Sequence, residues 1–168
     1  DTDYDITADL CVAAWAKNDN ASTTASGNEI IASKYTGSDT QRIWRLTIQG
    51  TLVKFSCTGN GGTSGEVYNL GYTHTGINEW NHYAGVFDQG HMYLYINGKQ
   101  VAYHDFTGTE TALHSRNTRK VNIGSYEDGS GTWEGQIADV RIYNDNLLTT
   151  TGATSASTHI EFLASKIN

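Results

Sequence analysis

The chain has 168 residues, 18 glycines, no proline and only 17% charged side chains. That allows one full hydrophobic core and excludes a helical bundle with a Glu- and Lys-laced surface. A formal net charge of −7 excludes nucleic acid as an expected partner, because phosphate binding needs clustered Lys and Arg.

In chain order, Leu10, Val12, Ala14 and Ala16 alternate with Cys11, Ala13, Trp15 and Lys17. This is a strand apolar on both sides, as expected at the centre of a sheet. A polar loop from Asn18 to Asn28 follows and carries Asn20-Ala21-Ser22, a glycosylation acceptor only if the host is a secreting eukaryote. "EIIASKY" is a second predicted strand, ending at "TGSD". In "RIWRLTIQG", Trp44, Leu46 and Ile48 fall on one face and Arg45, Thr47 and Gln49 on the other. Gly50-Thr51 turns the chain, and Val53, Phe55 and Cys57 continue the apolar face. "TGNGGTSGE" is a glycine-rich loop without periodicity.

Two reversals come next. Asp88-Gln89-Gly90 joins "HYAGVF" to "HMYLYI", and Asn97-Gly98 joins that to "KQVAYHDF". Asn-Gly between alternating runs is a strong hairpin signal, since both positions take positive φ. Met92, Leu94 and Ile96 form a core face; Tyr93 and Tyr95 point the other way, either packed or as an exposed aromatic face. The basic run Arg116 to Lys120 reads as a solvated turn. "KVNIGSY" and "GQIADVRIY" supply two more strands, the second with Ala138, Val140 and Ile142 opposite Asp139, Arg141 and Tyr143.

The tail changes character. "TTTGATSAS" is polar and repetitive, while Thr158 and Glu161 have capping-box spacing ahead of Ile160, Leu163, Ala164 and Ile167 at helical spacing. Residues 1–150 are therefore predicted to form an antiparallel two-sheet β-sandwich, and 151–168 a polar linker with a short terminal helix. No apolar run reaches membrane-span length and no signal segment opens the chain; the abrupt start on Asp1 reads as a domain taken from a longer protein. Cys11 and Cys57 lie in strand-like runs with no CxxC, and read either as two buried thiols or as a disulfide.

The motifs "LCVAAWAK", "IIASKY", "WNHYAGVFD", "MYLYINGKQV", "VNIGSY" and "WEGQIADVRIYNDNL" resemble, in order and spacing, the laminin-G-like and pentraxin-like members of the concanavalin A-like lectin/glucanase superfamily. The likeness runs from Leu10 to Leu148. It implies an all-β jelly roll of two curved sheets, with Trp15, Trp80 and Trp44 in the core and His82 packed within the tryptophan–histidine motif. Such a fold hosts lectins, adhesion domains, virion parts and glycosidases, so function must be read from residues.

Glycoside hydrolysis needs two carboxyl groups flanking the scissile bond. The superfamily's glucanases place them in a Glu-x-Asp-x-x-Glu cluster, which is missing here. Glu127-Asp128 are adjacent, Glu134 and Asp139 are five apart, and Asp3 and Asp5 sit at the chain end. His74, His91 and His104 read as turn or surface residues, no histidines share a ligand spacing, and "GNGGTSG" lacks the Lys of a phosphate loop. The sequence is not expected to be an enzyme.

Sugars are held by aromatic rings with a few polar anchors. Trp133 follows "YEDGSGT" and reads as a ligand platform or as a lid over the sandwich end. Tyr126 shares its loop; Tyr35, Tyr72 and His74 lie near other strand ends, where they are candidates to converge. Relatives of this fold bind calcium, which takes six to eight oxygens. Asp139 matches the family's strand aspartate, expected to be semi-buried, although Ala138 replaces the usual neighbouring acid. Asp19, Glu29, Glu127 and Asp128 are the other candidate ligands for calcium, with backbone N–H groups or Arg141 as the competing partners.

The expected function is a non-catalytic carbohydrate-binding or adhesion module of an extracellular, cell-surface or virion-surface protein. Its expected partners are a glycan and neighbouring domains of a longer chain. A structural or protein-interaction sandwich is the alternative, and a glycoside hydrolase the third reading.

Overall fold

A computed structural model describes residues 5–19, 27–35, 42–59, 67–106, 111–115 and 119–145. Ten strands run in chain order: β1 (Leu10–Asn18), β2 (Glu29–Lys34), β3 (Trp44–Gln49), β4 (Leu52–Thr58), β5 (Val67–Thr73), β6 (Asn81–Asp88), β7 (His91–Ile96), β8 (Lys99–Asp105), β9 (Asn122–Ile123) and β10 (Gly135–Tyr143). They form two antiparallel five-stranded sheets, ordered β10-β1-β6-β7-β8 and β5-β4-β3-β2-β9. The protein is an all-β sandwich, as its alternation and turn signals predicted. Among the described residues no helix is long and apolar enough to cross a membrane. The predicted terminal helix, the 151–168 segment and the Asn20 sequon lie outside the described residues.

Period-two alternation sets which side chains meet. Trp44, Leu46 and Ile48 of β3 lie directly across from Cys57, Phe55 and Val53 of β4, so both strands offer one apolar face. These pack against Leu10, Val12, Ala14 and Ala16 of β1, Tyr83 and Phe87 of β6, and Met92, Leu94 and Ile96 of β7. At the middle of the interface Phe55 presses onto Gly85: a Cβ placed there would lie 2.2 Å from the ring. Gly85 pairs with Val12 on one side and Leu94 on the other, so the close approach falls in the middle of the first sheet.

Two hairpins hold the register of that sheet. Gln89 and Gly90 have φ of 44° and 99°, and Asn97 and Gly98 of 51° and 79°, the positive pairs that a type I′ turn requires. On the outer face, Cys11, Ala13, Ala84, Val86 and Tyr95 form a second buried cluster, with Tyr93 and Tyr143 at its edge. The packed reading therefore holds for Tyr95. Cys57 sits in the main core and Cys11 in the outer cluster, so the cysteines are two free buried thiols. Burial pushes both thiols up, Cys11 to about 12.

Two sequence expectations need correction, and one strand goes beyond them. Trp80 is 39% exposed, because β6 starts at Asn81 and leaves Trp80 in the preceding loop, outside the strand's alternation. Asp139 is exposed rather than semi-buried. It adopts φ 49° where β10 slips against β1 between Ala13 and Trp15, a bulge that turns its carboxylate outward to Arg141. The stretch "VYNLGYT", left without an element by the sequence reading, is β5, pairing with β4 from Leu52–Thr73 to Thr58–Val67.

Gly85→Ala is expected to lower stability by about 1–3 kcal/mol, read as a lower denaturant midpoint. The double variant Gly85→Ala/Phe55→Leu should lose less than the sum of the single changes; strict additivity would mean that ring and backbone do not press on each other.

Candidate functional site

The rims of the two sheets face each other on the flank where β5 runs beside β7 and β8. A concavity of about 580 Å³ opens there, lined by Tyr72, His74, Ile96, Asn97, Lys99, Gln100 and Val101. Tyr72 stands opposite the core residue Val53, but β5 is the outermost strand, so its ring emerges at the rim and is 42% exposed. Lys99, Gln100 and Asn97 come from the Asn97-Gly98 hairpin and are exposed.

A hydrogen-bond hub fixes these parts. Buried Asn81 donates through Nδ2 to the carbonyls of Gly76 (2.7 Å) and Glu79 (2.9 Å). Its Oδ1 accepts from Asn97 Nδ2 at 2.8 Å and lies 3.2 Å from His74 Nε2. With Asn81 Nδ2 committed to two carbonyls, Oδ1 is an acceptor only, so His74 Nε2 is the donor in that contact. Asn97 Oδ1 in turn accepts from the His82 amide at 2.8 Å, and the Asn97 amide donates to the His82 carbonyl at 2.7 Å. The loop after β5, the start of β6 and the β7–β8 turn are thus tied at one point. The lining combines an exposed ring, an imidazole, two amides and an ammonium, a set that can stack on an apolar face and bond hydroxyl groups around it.

Of the sequence-predicted ligand residues, the structure brings Tyr72 and His74 together here. Tyr35 and Tyr126 lie at the opposite edge of the second sheet, beside β2 and β9. They are 2% and 5% exposed and stack on each other at 5.3 Å over Ile30. The Arg45 guanidinium sits 4.6 Å over the Tyr35 ring and donates to the Tyr126 hydroxyl. Both rings are therefore occupied by protein. Trp133 is half-buried against the core. The missed contributors Asn97, Lys99 and Gln100 were read only as hairpin residues; their exposure beside Tyr72 depends on long-range pairing.

Each of the five calcium candidates has a partner within the protein. Asp19 pairs with Lys17 at 3.7 Å, and Glu29 accepts from Asn18 Nδ2 at 2.5 Å and from the Glu134 amide at 3.3 Å. Glu127 pairs with Arg119 at 3.3 Å. Asp128 accepts from the Ser130 amide and hydroxyl at 2.9 and 2.6 Å, and Asp139 accepts from Arg141 Nε at 2.8 Å. Among the described residues no three His, Cys, Asp or Glu side chains gather to hold an ion.

A family model described as the concanavalin A-like lectin/glucanases superfamily matches residues 1–151, and the chain belongs to that superfamily. Among curated proteins none matches the sequence. Solved structures of similar fold include the botulinum neurotoxin type G receptor binding domain (16% identity, TM-score 0.65, covering 93% of this chain and 37% of that one). A second is the botulinum neurotoxin serotype D ligand binding domain in complex with N-acetylneuraminic acid (17%, 0.64, 94% and 36%). A third is the binding domain of botulinum neurotoxin DC in complex with rat synaptotagmin II (14%, 0.67, 97% and 37%). The chain thus spans little more than a third of each of these structures.

His82, which clamps the Asn97 turn, lies edge-on to Trp15 at 5.6 Å. Burial lowers its pKa from 6.5 to about 4, against a smaller upward pull from Asp139. The unfolded chain therefore binds an extra proton between these values, and stability is lost as pH falls through that window. Urea titrations from pH 7 to 4 should show a steeper decline for the wild type than for His82→Gln; parallel declines would remove His82 as the cause.

Proposed function

We propose that this protein is a non-catalytic binding module that works outside the cell and takes a carbohydrate at the Tyr72 concavity. One observation carries the reading: the exposed Tyr72 ring is framed by His74, Asn97, Lys99 and Gln100, with no carboxylate in the lining among the described residues. Ring and amides suit a sugar's C–H face and hydroxyls. Glycosidic cleavage by the common mechanism would need two carboxyl groups there. Fold neighbours seen with N-acetylneuraminic acid and with rat synaptotagmin II support a recognition role and bring both glycans and proteins into consideration.

A protein-interaction role is the second reading, favoured by one feature of the opposite flank. There the aliphatic side chains of Val121, Ile123, Val140 and Ile142 line a groove of about 340 Å³, and Ile123 is 57% exposed.

A glycan array followed by affinity electrophoresis on the best hit tests the proposal. Tyr72→Ala should weaken binding about tenfold, equivalent to roughly 1.4 kcal/mol. Trp133→Ala should leave affinity unchanged wherever the fold survives, and EDTA should have no effect. Silence across a broad panel, or equal binding by Tyr72→Ala, defeats the glycan reading.

A further inference from the structure

The outer face of the first sheet carries rings that the Tyr72 flank does not use. Residues directly opposite one another in a sheet project to the same side. Asp88, His91 and Asp105 therefore form one outward row across β6, β7 and β8, and Val86, Tyr93 and Tyr103 form the next. Buried Tyr95 continues the rings along β7, its centre 6.5 Å from that of Tyr93. Tyr103 lies on β8, at the end of the strand order, and is 46% exposed. Its ring centre is 5.0 Å from that of Tyr93 and 6.0 Å from that of His91. The Tyr103 hydroxyl lies 2.9 Å from His91 Nδ1, which fixes the outer margin of this platform.

Carboxylates border the rings. Asp88 and Asp105 stand on the two sides of His91, whose Nδ1 is 3.7 Å from Asp105 Oδ1. Burial raises the Tyr93 pKa, and Tyr103, Asp88 and Asp105 raise it further. Burial, then the Asp88 and Asp145 charges, likewise push up the nearby Asp9 carboxyl. Negative charge is therefore concentrated at this end of the sheet. The cations farther along the same face, Lys17 and Arg141, are held by Asp19 and Asp139. The opposite edge of the molecule shows what paired rings attract. There the Tyr35–Tyr126 pair, 5.3 Å apart, is covered by the chain's own arginines, Arg45 at 4.6 Å and Arg42 at 5.2 Å over the Tyr35 ring. The Tyr93–Tyr103 pair has nearly the same spacing, greater exposure and adjoining carboxylates, and among the described residues no arginine or lysine lies over it. A guanidinium is flat and weakly hydrated, so it stacks on a tyrosine face while its edge bonds a carboxylate; an ammonium is a compact, strongly hydrated point charge.

We propose that the Tyr93–Tyr103 platform, bordered by Asp88 and Asp105, docks an arginine-bearing peptide segment of a partner protein, with a guanidinium stacked on the Tyr103 ring and bonded to a bordering carboxylate. The surface lies on the outer face of the first sheet, apart from the Tyr72 concavity, and it stands or falls independently of the carbohydrate reading.

NMR titration of the full chain with acetyl-Gly-Arg-Gly-Arg-Gly-amide tests it, alongside the same peptide carrying lysine or the neutral isostere citrulline, and choline chloride. The arginine peptide should shift the Tyr103 and His91 ring signals saturably. It should bind at least fivefold more tightly than the lysine peptide, the citrulline peptide or choline. Tyr103→Leu and Asp88→Asn should each weaken that binding fivefold or more. Tyr72→Ala, and Asp19→Asn at the far end of β1, should leave it unchanged. Tyr103 is exposed, so its variant keeps the test valid if Asp88→Asn unfolds. The proposal is overturned if no saturable shift appears, if Tyr103→Leu binds as the wild type does, or if lysine, citrulline or choline matches arginine. It is overturned equally if Asp19→Asn weakens binding as much as Asp88→Asn, since attraction to the net charge of −7 would then account for the effect.

Discussion

The contact between the Phe55 ring and the bare backbone of Gly85 sets the spacing of the two sheets. It lies where β4 crosses β6, between the cores contributed by Val12 and Leu94. A residue with a side chain at position 85 would force the layers apart, and the interdigitation of Trp44, Leu46 and Ile48 with the other sheet depends on that separation. Both flanks of the sandwich inherit their width from it. The Tyr72 concavity spans one flank and the aliphatic groove the other.

The Tyr72 flank shows how a turn acquires a second task. Asn97 is required by backbone geometry, since a type I′ turn favours Asn at its first central position. The same side chain bonds the His82 amide and Asn81, so local conformational preference and long-range anchoring coincide in one residue. That coincidence orients Lys99 and Gln100 toward Tyr72. The opposite edge uses different means: Tyr35, Tyr126 and Arg45 lock together through stacking and cation–π contact, which converts two rings from potential ligand contacts into internal support.

Much of the fold was legible because alternation and paired turns are local. The faces of β3, β4 and β7 and both hairpins follow directly from residue order. β5 escaped because a glycine-rich stretch precedes it and Gly71 interrupts its pattern, although Tyr68, Leu70 and Tyr72 do alternate. Trp80 was misplaced since a motif gives the neighbourhood of a strand and not its first paired residue. For the site, Tyr72 and His74 were found as strand-end residues, whereas Tyr35 and Tyr126 looked identical in sequence yet are buried. Exposure at a strand end depends on which strand is outermost, and strand order is set by pairing between distant segments. The acids considered for calcium differ: Asp19, Asp128 and Asp139 each bond a residue two positions away in sequence, whereas Glu29 accepts from the distant Glu134 amide.

β10 is nine residues long and, among the described residues, ends its sheet. An edge of that length, if straight, would invite a strand from a second molecule to add on by main-chain bonding. The left-handed kink at Asp139 breaks the straight run, and its outward carboxylate with Arg141 puts charge where a newcomer would have to lie. The same irregularity that removed Asp139 from the interior therefore makes this edge a poor template for an added strand.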